Sequence, residues 1–299
     1  MKEQEFTADP VKKTSFSIIG CGKVGTSLAR FLVRAGYVPA GFASQSIDSA
    51  KMLADTCNCP FFYQEPEKVC ETADIVFLTT PDGFIEDTCQ CIASSSGFKK
   101  GGIVLHCSGA HPSDILNSAK KRCSSFIGSM HPLQSFALKQ MPDNPFSGII
   151  VSVEGDSEAV RVAKKAGEDL GASVIEIRTN AKVLYHAAAV AASNYLVTLM
   201  DLSFKLIKEA GIDESKAYGI LKPLIEGTLS NIEAKGPGKA LTGPIARGDV
   251  ETITRHLDEM EKKLPECLAL YRSFAYHTID IARPILPDEK IEQLETILK

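Results

Sequence analysis

The stretch Phe16-Ser-Ile-Ile-Gly-Cys-Gly-Lys-Val-Gly-Thr-Ser-Leu-Ala-Arg30 decides the fold of the first half of the chain. Its apolar start contains two β-branched isoleucines, which predicts a buried strand over 16–19. The apolar positions Leu28 and Leu32 then follow at helical spacing. A strand that passes through a turn into a helix is the opening unit of an α/β domain.

The turn between this strand and helix carries the pattern G-x-G-x-x-G, formed by Gly20, Gly22 and Gly25. In order, such glycines allow a tight turn, close approach of the backbone to a pyrophosphate, and close packing of the helix on the strand. The diphosphate then meets N–H groups at the positive end of the helix, where Lys23 and Val24 lie. The pattern predicts a dinucleotide site, and a structural glycine turn is the alternative.

The end of the second predicted strand, over 38–43, indicates which dinucleotide binds. An acidic residue about 20 positions after the glycine turn would bind the ribose 2′-hydroxyl of NAD. This chain has Ser44, Gln45 and Ser46 there, which do not repel a 2′-phosphate and can donate hydrogen bonds to it. NADP is therefore predicted in preference to NAD. The arginine that often clamps this phosphate is missing. Lys51 is one candidate to replace it, and a lysine that is simply exposed to solvent is the alternative.

The composition predicts a soluble globular protein of two domains, with 299 residues, 44% of them hydrophobic and 23% charged. A net charge of −4 gives no footprint for nucleic acid or an anionic membrane, so a small-molecule substrate is expected. The first residues are polar, and no stretch reaches the roughly 18 apolar residues of a membrane span, which predicts a cytoplasmic protein. The nine cysteines form no C-x-x-C pair, and no metal site is predicted.

Strand-like runs alternate with helical patterns through the first half, which predicts a parallel sheet. Further strands are predicted over 59–63, 73–80, 102–106, 125–128, 148–153 and 173–177, with a helix over 157–170. Ligands lie beyond the carboxyl ends of such strands. These ends offer Thr80 and Pro81 to the cofactor, Ser108 to the nicotinamide ribose or substrate, and His131 to the active-site wall. His131 is predicted in a turn fixed by Pro132, where a hydrogen bond to the backbone is the alternative role.

The composition changes after residue 178, where strand patterns give way to long helical ones. We therefore predict a dinucleotide-binding Rossmann domain over 1–178 and an all-helical domain over 179–299. Helices are predicted over 182–210, 213–227, 249–263 and 267–282, with an ordered loop over 233–249.

The first of these helices carries His186, Ser193 and Asn194 within an alanine-rich stretch. At 3.6 residues per turn the three side chains can share one cleft. His186 is predicted to protonate a carbonyl or imine as hydride is added, and Asn194 to orient it. A histidine and an asparagine satisfied between helices are the alternative.

The segment Leu241-Thr-Gly-Pro-Ile-Ala-Arg-Gly-Asp249 combines a rigid turn with a guanidinium. Arg247 offers a planar fork that matches a substrate carboxylate. Pairing with Asp249 or a helix end is its alternative, and Asp249 itself is predicted to cap the following helix.

Five motifs occur in order and together resemble the Rossmann-like proteins with a C-terminal domain of unknown function 2520. They are Gly20-Cys-Gly-Lys-Val-Gly25, His106-Cys-Ser-Gly-Ala110, His131-Pro-Leu-Gln-Ser-Phe136, Tyr185-His186 through Ser193-Asn-Tyr-Leu196, and Leu241 to Asp249. The resemblance implies an NADP oxidoreductase whose helical domain is of the 6-phosphogluconate dehydrogenase C-terminal type and forms a homodimer. Members often have an arginine where this chain has Gln45.

The wider superfamily includes ketopantoate reductases, in which the corresponding helix carries a lysine followed by asparagines four and eight residues on. Laid on that pattern, His186 takes the lysine position, Val190 the first asparagine and Asn194 the second. Prephenate dehydrogenases resemble the chain differently, with a histidine and a serine seven residues later, as in His186 and Ser193.

The leading hypothesis is an NADP-dependent oxidoreductase that transfers hydride to or from a small carbonyl or 2-hydroxy acid, with ketopantoate as first substrate. His186 acts as acid or base in this hypothesis, Asn194 and Ser108 orient the substrate, and Arg247 holds its carboxylate. The alternative hypothesis is a sensor or scaffold protein that binds NADP(H) without turnover, because Val190 stands where the reductases have a polar residue.

Overall fold

The computed structural model of the chain describes residues 13–136 and 138–299. The polar first residues, on which the expectation of a cytoplasmic protein partly rests, lie outside this range. The described chain forms two compact units, of which the first ends at Ala191 and the second is Ala192–Lys299. The last strand ends at Glu176, close to the boundary predicted at 178, but the compact units divide later because the next helix begins on the first unit.

The first unit contains an eight-stranded sheet with the order β3-β2-β1-β4-β5-β6-β7-β8. The strands are β1 (Ser15–Ile19), β2 (Val38–Ala43), β3 (Phe62–Tyr63), β4 (Ile75–Leu78), β5 (Ile103–His106), β6 (Phe126–Pro132), β7 (Ile150–Gly155) and β8 (Ser173–Glu176). The chain first winds to one side of β1 and then to the other. The direction therefore reverses between β1 and β4, which is where α/β sheets bind dinucleotides.

Six helices connect these strands and cover both faces of the sheet. They are α1 (Lys23–Arg34), α2 (Ile47–Thr56), α3 (Glu67–Cys70), α4 (Ile85–Ser94), α5 (Asn117–Cys123) and α6 (Ser157–Asp169). Side chains alternate along each strand, so that Ile18 packs into the core under α1, α2 and α6, while Ile19 packs under α3, α4 and α5. The two buried layers fix the carboxyl ends of the strands rigidly in place.

The sheet is parallel except at β6 and β7, which pair antiparallel. The all-parallel expectation is wrong at this pair because no crossover helix lies between the two strands. β6 also extends through Pro132, so His131 lies within a strand, opposite Ser152, and not in a turn. Pro132 is the last residue of β6, a position at which its missing N–H is tolerated.

The second unit is helical. The helix α7 (Lys182–Glu209) begins in the first unit and continues into the second, which also contains α8 (Ala217–Ala240), α9 (Val250–Lys263), α10 (Pro265–Ala282) and α11 (Asp288–Leu298). Apolar side chains of α9, α10 and α11 form its main core. Helix α11 was not predicted from the sequence.

The loop predicted over 233–249 is wrong for its first half, because α8 runs to Ala240. Gly236 adopts a φ of 72°, which interrupts the helix, and Pro237 then restarts it. Proline is favoured at the first position of a helical segment, and glycine at a positive φ. The pair that looked like loop residues therefore forms a kink.

One helix in the described part of the chain, Thr179–Glu209, is long and apolar enough by length and composition to cross a membrane. Its mean hydropathy is 1.3, and its apolar window is not buried. This criterion averages hydropathy over a window, whereas the expectation above concerned an uninterrupted run of roughly 18 apolar residues. Five alanines between His186 and Ser193 raise the mean hydropathy although polar residues interrupt the run.

Candidate functional site

A cavity of about 890 Å³ opens beyond the carboxyl ends of β1, β2 and β4. This is within the volume range of cofactor pockets, about 300–1,000 Å³. Nine of the predicted cofactor residues line it, namely Gly20, Gly22, Lys23, Val24, Ser44, Gln45, Ser46, Thr80 and Pro81. Three separate strand ends thus bring the predicted set to one place.

The three glycines of the turn have different surroundings. A side chain on Gly20 would lie 2.7 Å from the Thr80 backbone nitrogen, and the φ of Gly20 is +102°. A side chain on Gly25 would overlap the Gly20 carbonyl oxygen, so this glycine permits α1 to pack on β1 and does not line the cavity. A side chain on Gly22 would meet no atom within 4 Å. The free space in front of Gly22 fits a diphosphate.

The charges around the cavity also suit phosphate groups. Among the described residues that line it, Lys23 and Lys139 are charged and none is acidic. Gly22 precedes the first turn of α1, which contains no acidic residue. The N–H groups of that turn have no partner within the helix, and with the helix dipole they attract an anion.

Two predicted catalytic residues come together in the first unit. The rings of His131 in β6 and His186 in α7 have centroids 6.0 Å apart and lie edge to face. Gly109, after β5, lies against both, because a side chain there would come within 2.8 Å of His131 Nε2 and overlap His186 Nδ1. Nδ1 of His131 and Nδ1 of His186 are buried without a hydrogen-bond partner. Unpaired nitrogens of this kind are available to a ligand or a water molecule.

A buried polar row lies next to these rings. His106 in β5 pairs with Ser129 in β6, and Ser129 pairs with Glu154 in β7, so the three side chains share one face of the sheet. Lys182, in the first turn of α7, is fully buried and donates to Ser129 Oγ and to Glu154 Oε1, the latter at 3.4 Å. Ser113 completes the row by donating its N–H and its hydroxyl to Glu154, at 2.9 and 2.7 Å.

This row controls the charge of two histidines. Burial and the Lys182 ammonium lower the pKa of His131 to about 4 and that of His106 to about 3. Burial lowers the pKa of Lys182, and Glu154 acts against that change. His131 is therefore neutral near neutral pH, so it can hydrogen-bond a substrate but cannot deliver a proton as imidazolium.

We expect acid to destabilise the protein through these two rings. The unfolded chain binds protons at the ordinary histidine pKa of 6.5, whereas the folded rings resist protonation to about 3 and 4. Stability is complete above pH about 6.5 and falls toward the folded pKa, by about 2 kcal/mol per ring at pH about 5. Urea unfolding at pH about 6.5 and at pH about 5 measures this loss. Between these pH values His106→Asn should lose about 2 kcal/mol less of its free energy of unfolding than the wild type. Equal losses would contradict the assignment.

Three predicted site residues lie elsewhere. Ser108 follows β5 and its hydroxyl accepts from the N–H groups of Ala110 and His111, at 3.1 and 3.2 Å, so it braces its own turn and does not line the cavity. Asn194 and Arg247 are exposed residues of the second unit. Asp249 caps α9 as predicted, by accepting from Thr252 N at 3.0 Å. The roles of Ser108, Asn194 and Arg247 in binding or catalysis stay predictions.

The partners of Lys182, Ser129 and Glu154, were not predicted from the sequence. The signal that could have revealed them is the alternation of apolar and polar residues in Val151-Ser-Val-Glu154, which lies opposite the alternating polar positions Ser129 and His131. Polar residues at every second position of a strand share one face. The antiparallel register that matches the two sets was not foreseen.

Comparison with family models divides the chain in a similar way. A model described as a Rossmann-like domain matches residues 3–132. A second, described as a domain of unknown function (DUF2520), matches residues 149–278. Comparison with curated proteins gives no sequence match.

Several solved structures share the fold over nearly the whole chain. A candidate NADP oxidoreductase from Bacteroides fragilis is 23% identical, with a TM-score of 0.73 over 90% of this chain and 98% of that one. The protein TM1727 from Thermotoga maritima is 26% identical, with a TM-score of 0.69 over the same shares. An imine reductase from Pseudomonas sp. is 17% identical, with a TM-score of 0.66 over 96% of this chain and 100% of that one. Residues 3–132 thus match a Rossmann-like domain and residues 149–278 match a DUF2520 domain, in this order along one chain.

Proposed function

We propose that the protein is an NADP-dependent oxidoreductase that transfers hydride to or from a small carbonyl, imine or 2-hydroxy acid. The observation that carries this proposal is the cavity over Gly22, which is open, lined by two lysines and bordered by the strand ends that the sequence assigns to a dinucleotide. The likeness to a candidate NADP oxidoreductase and an imine reductase supports the same class.

The residues of the glycine turn would hold the cofactor. The backbone of Gly20 to Val24 would face the diphosphate, and Ser44 to Ser46 would face the adenosine ribose. Thr80 and Pro81, which follow β4, would also border the cofactor. When bound, NADP(H) supplies or accepts the hydride, and the protein supplies orientation and a proton.

The histidine pair would take part in proton transfer to or from the substrate. Burial, together with the Lys182 ammonium, lowers the pKa of His131 and keeps it neutral, so it is suited to hydrogen-bond the substrate while His186 acts as the acid or base. Gly109 leaves room for both rings, because a side chain at this position would overlap them. Asn194 as an orienting residue and Arg247 as a partner of a substrate carboxylate are parts of the proposal that single substitutions test.

Two glycine substitutions should separate folding from cofactor binding. Gly22→Ala adds a methyl group that meets no protein atom, so we expect normal thermal stability and at least a tenfold loss of NADPH affinity. Gly25→Ala pushes α1 off β1 and should lower stability by about 1–3 kcal/mol. Thermal unfolding and NADPH titration of both variants check this. Unchanged NADPH affinity in Gly22→Ala would contradict the placement of the diphosphate.

The direct test of function is oxidation of NADPH by the purified protein with single substrates. The panel should contain ketopantoate, other 2-keto acids and cyclic imines, and NADH should replace NADPH in a parallel set. NADPH consumption with one substrate supports the enzyme. Tight NADPH binding without consumption across the panel would favour the sensor hypothesis instead.

A homodimer is the proposed assembly. The described part of the second unit exposes large apolar side chains on α7 and α8, including Val197 at 69% and Leu224 at 68%. Exposed apolar helix faces of this size mark an interaction surface, and the family resemblance indicates a second copy.

All nine cysteines are free, which suits a reducing compartment such as the cytoplasm.

Sedimentation velocity tests this assembly. The wild type should sediment as a dimer and Val197→Glu as a monomer. A monomeric wild type, or one that partitions onto lipid vesicles, would contradict the proposal.

A further inference from the structure

One lysine at the cavity comes from a part of the chain that the cofactor motifs do not include. Lys139 lies in the loop over 133–149, which joins β6 to β7 and is called the β6–β7 loop here. Its Nζ donates to Ser49 Oγ at 3.1 Å, in the first turns of α2. Lys139 and Ser49 both line the cavity, together with Ser44, Gln45 and Ser46. A cation therefore stands beside the residues assigned to the adenosine ribose.

The β6–β7 loop is fixed to the α/β unit on both sides of Lys139. Arg30, on α1, donates to the Met141 carbonyl at 3.0 Å. The ring of Phe136 packs on Phe146, which is fully buried in the core, with centroids 5.7 Å apart. Asn144 donates to the Leu170 carbonyl at 2.8 Å. These contacts hold Lys139 over the first turns of α2.

The charge of Lys139 is not used by the protein itself. Within the described residues, no carboxylate lies within ion-pair distance of its Nζ, whose observed partner is the neutral Ser49 hydroxyl. Asp48 is the acidic residue in the first turn of α2, and it does not line the cavity. Gln64 donates to the Gln45 carbonyl at 2.9 Å and so fixes the chain after β2.

We infer that Lys139 is the cationic ligand of the 2′-phosphate of NADP and replaces the arginine that is missing after Ser44. This inference rests on the proposed function and adds the residue that decides between NADP and NAD. A dianionic phosphate at this end of the cavity would meet the Lys139 ammonium and the Ser46 and Ser49 hydroxyls. A lysine serves such a site as a point charge and does not need the planar geometry of arginine.

The test compares dissociation constants for NADPH and NADH in the wild type and in Lys139→Ala. We expect the variant to bind NADPH about tenfold more weakly and to bind NADH within about twofold of the wild type. The salt dependence of NADPH binding should also decrease, because one phosphate contact is lost. Fluorescence titration at two salt concentrations measures all of these quantities.

Two controls on the same protein sharpen the result. Lys51→Ala removes an exposed lysine of α2 that does not line the cavity, and it should change neither affinity. Lys23→Ala removes the cation beside the glycine turn, and it should weaken NADPH and NADH alike. Gln45→Arg introduced into Lys139→Ala should restore the preference for NADPH.

The outcomes distinguish this inference from the proposed function. A wild type that binds neither NADPH nor NADH would overturn the proposed function and this inference together. A wild type that binds NADPH, with Lys139→Ala equal to it or weakened equally for both cofactors, would overturn the role of Lys139 alone. Selective loss of NADPH affinity supports it.

Discussion

His186→Gln is expected to lower the rate of hydride transfer by about 10²- to 10⁴-fold, the usual contribution of a positioned acid or base. Glutamine keeps a polar side chain of similar reach but cannot exchange a proton near neutral pH. Because His186 does not line the cofactor cavity, NADPH affinity should stay unchanged. Pre-steady-state oxidation of NADPH with the substrate found in the panel measures the rate, and fluorescence titration measures the affinity.

Gly109→Ala provides a second route to the same conclusion. The added methyl group would overlap His186 Nδ1 and displace His131, so it should reduce turnover while both imidazoles are still present. His277→Gln, an exposed histidine on α10, is the matched control and should keep full turnover. If His186→Gln folds, binds NADPH and turns over at the wild-type rate, the assigned role of His186 is wrong.

Lys182→Met is expected to lower the free energy of unfolding by about 3–5 kcal/mol, because it leaves one charge of a buried pair without its partner. Glu154 is 1% exposed and would keep its two bonds from Ser113 as its remaining support. Chemical denaturation of the wild type and the variant measures the loss. Little or no loss would mean that Lys182 does not neutralise Glu154.

The double variant Lys182→Met, Glu154→Gln keeps this prediction testable if the single variant does not fold. It removes both charges and retains an amide that can accept from Ser113, so most of the lost stability should return. It should also raise the pKa of His131, since the ammonium that lowers it is gone. Histidine proton NMR resolves that change.

Local sequence patterns predicted the backbone conformation around the cavity. The strand, turn and helix around Gly20 to Gly25 lie within fifteen residues, and their conformation follows from side-chain period and glycine freedom alone. The strand ends after β2 and β4 were also found, because a parallel sheet brings all carboxyl ends to one edge. The α/β fold and the helical second half were predicted from the same periodicities, and both are confirmed.

Contacts between distant parts of the chain were not predictable from such patterns. Lys139 reaches Ser49 across 90 residues, and Lys182 reaches Glu154 across 28. The proline at 132 suggested a turn, whereas antiparallel pairing with Val151 makes it the last residue of a strand. Pairing and register depend on the whole sheet, so the structure was needed to place His131, Lys182 and Lys139.

Titration of the purified protein with NADPH and, separately, with NADH, followed by nucleotide fluorescence, shows directly whether the cavity binds a dinucleotide. We expect saturable binding of one NADPH per chain, weaker binding of NADH, and at least about tenfold weaker NADPH binding in Gly22→Ala, whose fold is unchanged. Absence of NADPH binding by a folded wild-type protein would contradict the assignment of the cavity.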